Sequence, residues 1–577
     1  MKAENVFVDR AVDLVAQQWG WVSVTVTAPA GVTIPSGVSL AGLIAPAAFP
    51  IQQSVTQASA TINDATVTVN TQDVLPQVLR LSDMSVARMQ RTCPTMLDRY
   101  AKYPDTNAVS NSPLGLYGKG FSPDEIPNGA FNGFQFTDAA GVVPTAATTV
   151  VGGYTIVNGV PTLTASVSPS GTLTFPIYFT WTSTEKLLLP PFIFTGQEEL
   201  STGLFGVQNF QVQLNIAPAS QARSIRVSSG LSLQGTTAGE FGKITLETGT
   251  GFNWGYSGST SVFNSTQPRL LVQFLTPSLD IPLPPKNIVP YMEFPRYITS
   301  GQNINTSAKI VFGVNVTGSS ALSSVTTTLP NIPDLMMIYV KPNSYPDPTN
   351  ADWTLPITNI SLNFDNFSGL LANHTPFQLY KMSVDNGLDM DWNLWSGQVN
   401  AELSGAADTG LAGTLGGVVG SAGGALVLRP GRDFALQAGQ SPGLVGNFTV
   451  QFTLNVQNNT GYTGGVNIYL LPISSGFFET IKGSSRIIKG VLTEQDILSA
   501  PMSAPSPALE RVVGGKMHTT MPVHSGGAHG GAHGGAHGGA HGGRAGGAMG
   551  GRAGGAHGGR AGGAHGGRAG GAMGEYM

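Results

Sequence analysis

The sequence predicts an all-β protein made of two antiparallel β-sandwiches in tandem. Three observations predict it: apolar and polar residues alternate in segment after segment, turn-forming clusters separate those segments, and the segments recur in one order.

Alternation is clearest in three places. Val22, Val24 and Val26 alternate with Ser23, Thr25 and Thr27. Phe210, Val212, Leu214 and Ile216 alternate with Gln211, Gln213 and Asn215, and Phe448, Val450, Phe452, Leu454 and Val456 alternate with Thr449, Gln451, Thr453 and Asn455. Side chains on a strand point alternately to its two faces, so each segment reads as a strand with one face on a core and one on water or a neighbouring chain. Clusters of Gly, Pro, Asn and Ser lie between them, and helical spacing is confined to 74–89, 377–384 and 493–499.

Repetition appears when the segments are set in order. Ala60–Val69 leads into the helical stretch near Val74, and Pro356–Phe364 leads into the one at Phe377. Gln208–Ile216 is echoed by Gly446–Val456, and Leu270–Pro277 by Val466–Pro472. The first copy carries a long insertion over 103–180, rich in Gly, Pro, Thr and Asn. The junction is expected in Ile281-Pro-Leu-Pro-Pro285, where three prolines forbid a central strand and stiffen a linker. The expected organisation is an N-terminal arm over 1–17, a first sandwich over 18–285, a second over 286–490, an extension with a short helix over 491–515, and a tail over 516–577.

Composition suits a subunit that packs among copies of itself. Charged residues are 11% of the 577 and the formal net charge is −4, against about 25% charged in an ordinary soluble domain. Little net repulsion opposes close association. The single cysteine, Cys93, forms no intrachain disulfide, and the start shows no basic, apolar and small-residue leader pattern. Synthesis in a reducing compartment is expected, where sequons such as Asn315–Thr317 and Asn447–Thr449 stay unglycosylated. The uncharged stretch Thr409–Leu428 has seven glycines in twenty residues. Each weakens a helix by about 1 kcal/mol relative to alanine, so an apolar loop between strands is expected rather than a membrane span.

Catalytic and metal motifs are weak. Gly439-Gln-Ser441-Pro442-Gly443 matches the G-x-S-x-G nucleophile pattern, but the residue after the serine must lend a backbone N–H to the oxyanion, and Pro442 has none. His374 is the one histidine before the C-terminal region, which leaves a single candidate base in the folded part. Asp385, Asp389 and Asp391 do not follow the calcium-loop order. No enzyme activity, cofactor or metal is expected. From Gly526 a Gly-Gly-x-x array carries His529, His533, His537 and His541 and the arginines Arg544, Arg552, Arg560 and Arg568. It has no apolar face to bury, so it is expected to be disordered, with weak polyanion binding or metal capture as its possible chemistries. Tandem sandwiches also occur in secreted or surface adhesins and carbohydrate-binding proteins, which stand as the alternative class.

Several segments, in order, resemble the double jelly-roll major capsid proteins of virophages and polinton-like viruses. They are Ala48-Phe-Pro-Ile51 leading into Ala60–Asn63, Asn111–Gly115, Leu189–Gly196, Phe274–Pro285 with Pro290–Tyr297, Ile332–Lys341, and Gly446–Phe448. The resemblance implies two tandem eight-stranded antiparallel jelly rolls. It also implies a homotrimeric, pseudo-hexameric capsomer tiling an icosahedral virion shell around double-stranded DNA, assembled inside the host cell. Implied partners are further copies of the chain, penton or minor capsid proteins, and a maturation protease. A minor capsid protein is the nearer alternative, disfavoured because pentons usually have one roll. The loops 103–180 and 395–445 are the expected outward turrets. In Leu509–Lys516 a hydrophobic residue precedes a glycine pair, and the family resemblance marks Gly514, Gly515 and Lys516 as a cleavage site, with the bond between Gly515 and Lys516 cut during maturation. The tail would contact DNA weakly through Lys516 and the four arginines.

Overall fold

A computed structural model of the chain describes residues 7–10, 12–40, 44–82, 97–99, 135–192, 203–216, 222–227, 230–232, 241–254, 269–276, 286–304, 319–343, 351–401, 417–458, 462, 464–493 and 495. All of them belong to one unit spanning Met1–Pro501.

In the first roll the strand Asp13–Thr27 runs between Thr172–Lys186 and Phe241–Trp254, antiparallel to both. Gly230–Ser232 and Gln135–Thr137 extend this sheet at its two edges. Val22, Val24 and Val26 are fully buried, so the alternation read from the sequence does face a core. A second layer runs Phe210–Ile216, Val55–Ile62, Ala65–Val69. The helix α1 (Pro50–Ser54) precedes that layer's central strand, and α2 (Thr71–Val78) follows its hairpin.

The second roll repeats the plan. Val466–Ile481 pairs with Asn287–Glu293, Tyr297–Gln302, Leu335–Pro342 and Ser484–Lys489. The facing sheet has Val445–Gln457 between Ile357–Phe364 and the strands Ser319–Ser323 and Thr327–Asn331. Phe367–Leu370 closes its hairpin, and α3 (Pro376–Asp385) and α4 (Trp392–Trp395) follow.

Local chemistry explains the helices. Thr375 accepts a hydrogen bond from the Gln378 N–H while the Gln378 side chain accepts from the Thr375 N–H, a reciprocal cap, and Pro376 occupies the first turn, where its missing N–H is harmless. Asp391 caps α4 by accepting from Leu394 N–H at 2.8 Å. In α2, Pro76 has no N–H for the Gln72 carbonyl one turn back; Arg223 Nη1 donates to that oxygen at 3.2 Å instead.

Repetition extends to single positions. Val55–Ile62 and Ile357–Phe364 share one burial rhythm, with positions one, four, six and eight buried. Each is followed by a left-handed residue, Asn63 at φ 56° and Asp365 at φ 54°, and Asn and Asp tolerate that region better than most side chains. In each roll the strand then pairs with a long partner, Phe210–Ile216 or Val445–Gln457.

Four boundary expectations are corrected. The first sheet starts at Asp13 rather than 18, because Val12, Leu14 and Ala16 carry the inward alternation backward; Phe7–Val8 also pairs, with Phe274–Leu275. The insertion does not reach 180. Thr172–Lys186 is a strand with Phe175, Ile177, Phe179 and Trp181 buried, and before it Thr148–Val150, Tyr154–Val157 and Val160–Leu163 form a small sheet that buries Tyr154, Ile156 and Leu163 in the same core as Val22 and Val24. Of the expected turret at 395–445, Leu426–Leu428 is instead a fully buried strand. The helix expected over 74–89 is observed as Thr71–Val78, while 83–89 lies outside the described residues, as do 103–134, 402–416, the junction 281–285, and most of 493–499. No helix among the described residues is long and apolar enough to cross a membrane.

Candidate assembly surfaces

Where the two rolls meet, the chain buries charge. Asp352 of the second roll lies between Lys341 Nζ, which donates to it, and Arg223 of the first roll, 3.6 Å away, with all three side chains 6% exposed or less. The Asp352 N–H donates to Asp98 Oδ2 at 3.0 Å, and Arg226 stands 3.5 Å from the same carboxylate. Burial lowers the Lys341 ammonium to about 8, with Asp352 opposing the shift. Burial alone would raise Asp352, but Lys341 and Arg223 hold it below its ordinary value. Charges this far from water persist only when paired, because their lost hydration must be replaced by protein partners.

Hydrogen bonds complete the seam. Tyr339 OH donates to the Asp73 carbonyl of α2 at 2.8 Å, and Arg296 pairs with the Asp73 carboxylate. Arg10 Nε donates to the Pro191 carbonyl at 2.7 Å and its Nη2 reaches the Pro290 carbonyl at 3.4 Å. Thr480 Oγ1 donates to the Phe205 carbonyl at 2.6 Å, and Ser484 and Ser485 donate to Asp64. Between α2 and the second roll lies a cavity of about 80 Å³ lined by Gln72, Asp73, Arg223, Lys341, Asp352 and Tyr469.

Outward, the described surface is polar with a few apolar groups. On the outer face of the second roll, Pro290, Phe477 and the half-buried Ile488 stand side by side across three strands, with Ile288, Phe477 and Ile481 exposed. Leu271, Phe274 and Leu275 are exposed at the edge of the first roll, and Phe377 and Val384 on α3.

Gly514, Gly515 and Lys516 and the whole tail lie outside the described residues. Asp385 pairs with Arg432 at 3.7 Å and Asp391 with Arg99 at 3.7 Å besides capping α4, while the Asp389 N–H donates to the Arg80 carbonyl, so the acidic cluster serves local structure. Ser441 sits in a turn where its carbonyl accepts from Leu444 N–H. His374 closes the turn before α3 by donating its N–H to the Leu371 carbonyl. Among the described residues no group of three or more His, Cys, Asp or Glu is placed to hold a metal. The buried seam was not foreseen. Its only trace in the sequence is a lysine and an aspartate adjoining the apolar runs Leu335–Val340 and Trp353–Ile357.

Two rolls of the same strand plan, joined in one chain along an ion-paired seam, define a double jelly-roll viral coat protein. The model of the Sputnik virophage major capsid protein first domain matches residues 1–275, and that of the major capsid protein V20 C-terminal domain matches 294–476. The putative capsid protein V20 of Sputnik virophage is 25% identical over 480 residues, covering 81% of this chain and 69% of its own. The fold is shared with the 3.5 Å cryo-EM structure of the Sputnik virophage (23% identity, 88% of each chain, TM-score 0.62). It is shared too with the crystal structure of mavirus major capsid protein (15% identity, 87% of this chain and 88% of that one, TM-score 0.61). The chain belongs to the virophage major capsid protein family. Its role is structural and its place is the virion capsid, where copies associate with one another.

Proposed function

We propose that three copies close into a pseudo-hexameric capsomer that tiles an icosahedral shell around double-stranded DNA, and that the chain acts by assembly and not by catalysis. The observation that carries this reading is the duplication: two rolls with matching hairpins, turns and helices present similar walls twice per chain. A closed ring of three chains uses one interface design three times. Native mass spectrometry of purified protein at micromolar concentration should find trimers; monomers alone, with the fold intact, would overturn the reading.

The units of assembly are a first roll up to residue 285 with its sheet starting at Asp13, a second over 286–490, an extension over 491–515 and a tail over 516–577. Cleavage between Gly515 and Lys516 by a maturation protease would release the tail, since two glycines let an extended substrate thread a narrow cleft. Before cleavage, Lys516 and the four arginines hold DNA weakly inside the shell. Penton or minor capsid proteins complete the vertices. Intact mass of the protein from mature virions tests the cut: a C-terminus at Gly515 supports it, and one at Met577 in most copies refutes it.

A further inference from the structure

The helices that follow the two matching hairpins differ in their surroundings. Aligning the N-caps Asn70 and Thr375 sets Val74 against Leu379 and Val78 against Ser383, and all four are fully buried. The same alignment sets Leu79, buried, against Val384, 38% exposed, and Gln72, which lines the seam cavity, against Phe377, 56% exposed. The inward faces of the two helices therefore agree and the lateral faces do not.

Cover for the lateral face of α2 comes from the second roll of the same chain. Tyr339 and Arg296 bind Asp73, and Tyr469, stacked on Tyr339 with ring centroids 5.1 Å apart, shares the cavity wall with Gln72. On α3 the Phe377 ring meets two local rings, Tyr380 at 5.9 Å and Trp392 at 5.3 Å between centroids.

The repeat also indicates what surface would cover α3. Tyr469-Leu470-Leu471-Pro472 is echoed in the first roll by Phe274-Leu275-Thr276-Pro277. Tyr469 is buried in the seam, whereas Phe274 is 44% exposed with Leu271 and Leu275 exposed beside it. One copy thus offers an uncovered helix face and, at the equivalent of the covering position, an uncovered aromatic ring.

We propose that Phe274 of one copy packs against the Phe377 face of α3 in the next, giving α3 between chains the cover that Tyr469 and Tyr339 give α2 within the chain. This rests on the trimeric reading above. The contact is head-to-tail, since each chain gives its first-roll edge to one neighbour and its α3 face to the other. It closes at three copies because six rolls then complete the ring. Aromatic rings meeting in a contact of this kind prefer edge-to-face or offset stacking.

The test uses the full chain with Cys93→Ser, Phe274→Cys and Phe377→Cys, treated with a short bis-maleimide and resolved on a denaturing gel. Covalent species of two and three chains should form in the double-cysteine variant and not when either new cysteine is omitted. In parallel, Phe377→Glu in the natural chain should weaken the trimer at least tenfold by native mass spectrometry while leaving thermal unfolding of the monomer unchanged. Trimers that neither cross-link nor respond to Phe377→Glu would overturn the contact and leave the trimer standing. A natural chain that is only monomeric would overturn both.

Discussion

Inside the second roll, the strands Ile357–Phe364 and Val445–Gln457 set apolar residues side by side: Ile360 with Leu454, Leu362 with Phe452 and Phe364 with Val450, all buried. At the seam with the first roll, Arg223, Lys341 and Asp352 are as deeply buried and carry charge. Apolar burial is non-directional and drives each roll to form, whereas an ion-paired seam is satisfied in one arrangement only. The difference assigns stability to the rolls and their fixed placement to the seam.

The largest effects test each side of that division. Phe452→Ala should destabilise the second roll by about 3–5 kcal/mol in urea unfolding of the full chain, through lost burial and the cavity left behind. Asp352→Leu should destabilise by a similar amount, about 3–5 kcal/mol, because Lys341 and Arg223 remain buried without that carboxylate. The triple replacement Arg223→Met, Lys341→Met and Asp352→Leu should lose much less than the single one, since an apolar seam leaves no stranded charge. If the triple variant were as unstable as Asp352→Leu, the seam's worth would lie in the pairing itself.

Those two sides also differ in how far the sequence revealed them. Alternation located the strands at Val22–Val26 and Phe448–Val456 because each puts apolar residues on a core and Ser, Thr, Asn or Gln on its other face, which gives the sequence its period of two. It failed at Thr172–Lys186, where Pro176 and Tyr178 stand at positions the alternation reserves for polar residues although Phe175, Ile177, Phe179 and Trp181 are buried, and at Leu426–Leu428, where all three residues are buried and no alternation exists. The seam stayed hidden for another reason: Arg223 and Asp352 are far apart in the chain, and a charge carries no local sign of whether it faces water or a partner. For the assembly surface, the echo of Phe274 with Tyr469 was legible, but that one of them is covered and the other bare was not.

Acidity gives an intermediate test, because one buried group in each region titrates in an unusual range. Glu185, in the first roll, accepts from the N–H groups of Ile51 at 2.6 Å and Gln52 at 3.1 Å, and burial pushes it up to about 8 against those two bonds. A carboxyl raised in the folded state contributes most below its unfolded value of 4.5, and that contribution is lost as pH rises to about 8. Lys341 is lowered from 10.5 to about 8, so its contribution is present above 10.5 and is lost as pH falls toward 8. Together they place a minimum near pH 8 on the stability curve. Glu185→Gln should remove the acid-side decline and Lys341→Met the alkaline-side rise, both read from denaturation midpoints across pH 5–10. An unchanged profile in either variant would mean that its group is not shifted.

The smallest effect comes from an ion pair of the same chemistry placed at the surface. Lys489 Nζ donates to Glu293, with the two side chains 37% and 27% exposed. Water solvates both ends when the pair opens, so little of the attraction survives as stability, and holding two flexible side chains in one geometry offsets part of the remainder. Lys489→Ala should therefore cost less than about 1 kcal/mol, and the loss should shrink further in 0.5 M salt because exposed charges are screened. Asp352→Leu should show no comparable salt dependence, since ions do not reach a buried pair. Equal losses for the two variants, or equal salt sensitivity, would remove the distinction between a seam that fixes the rolls and a surface that merely carries charge.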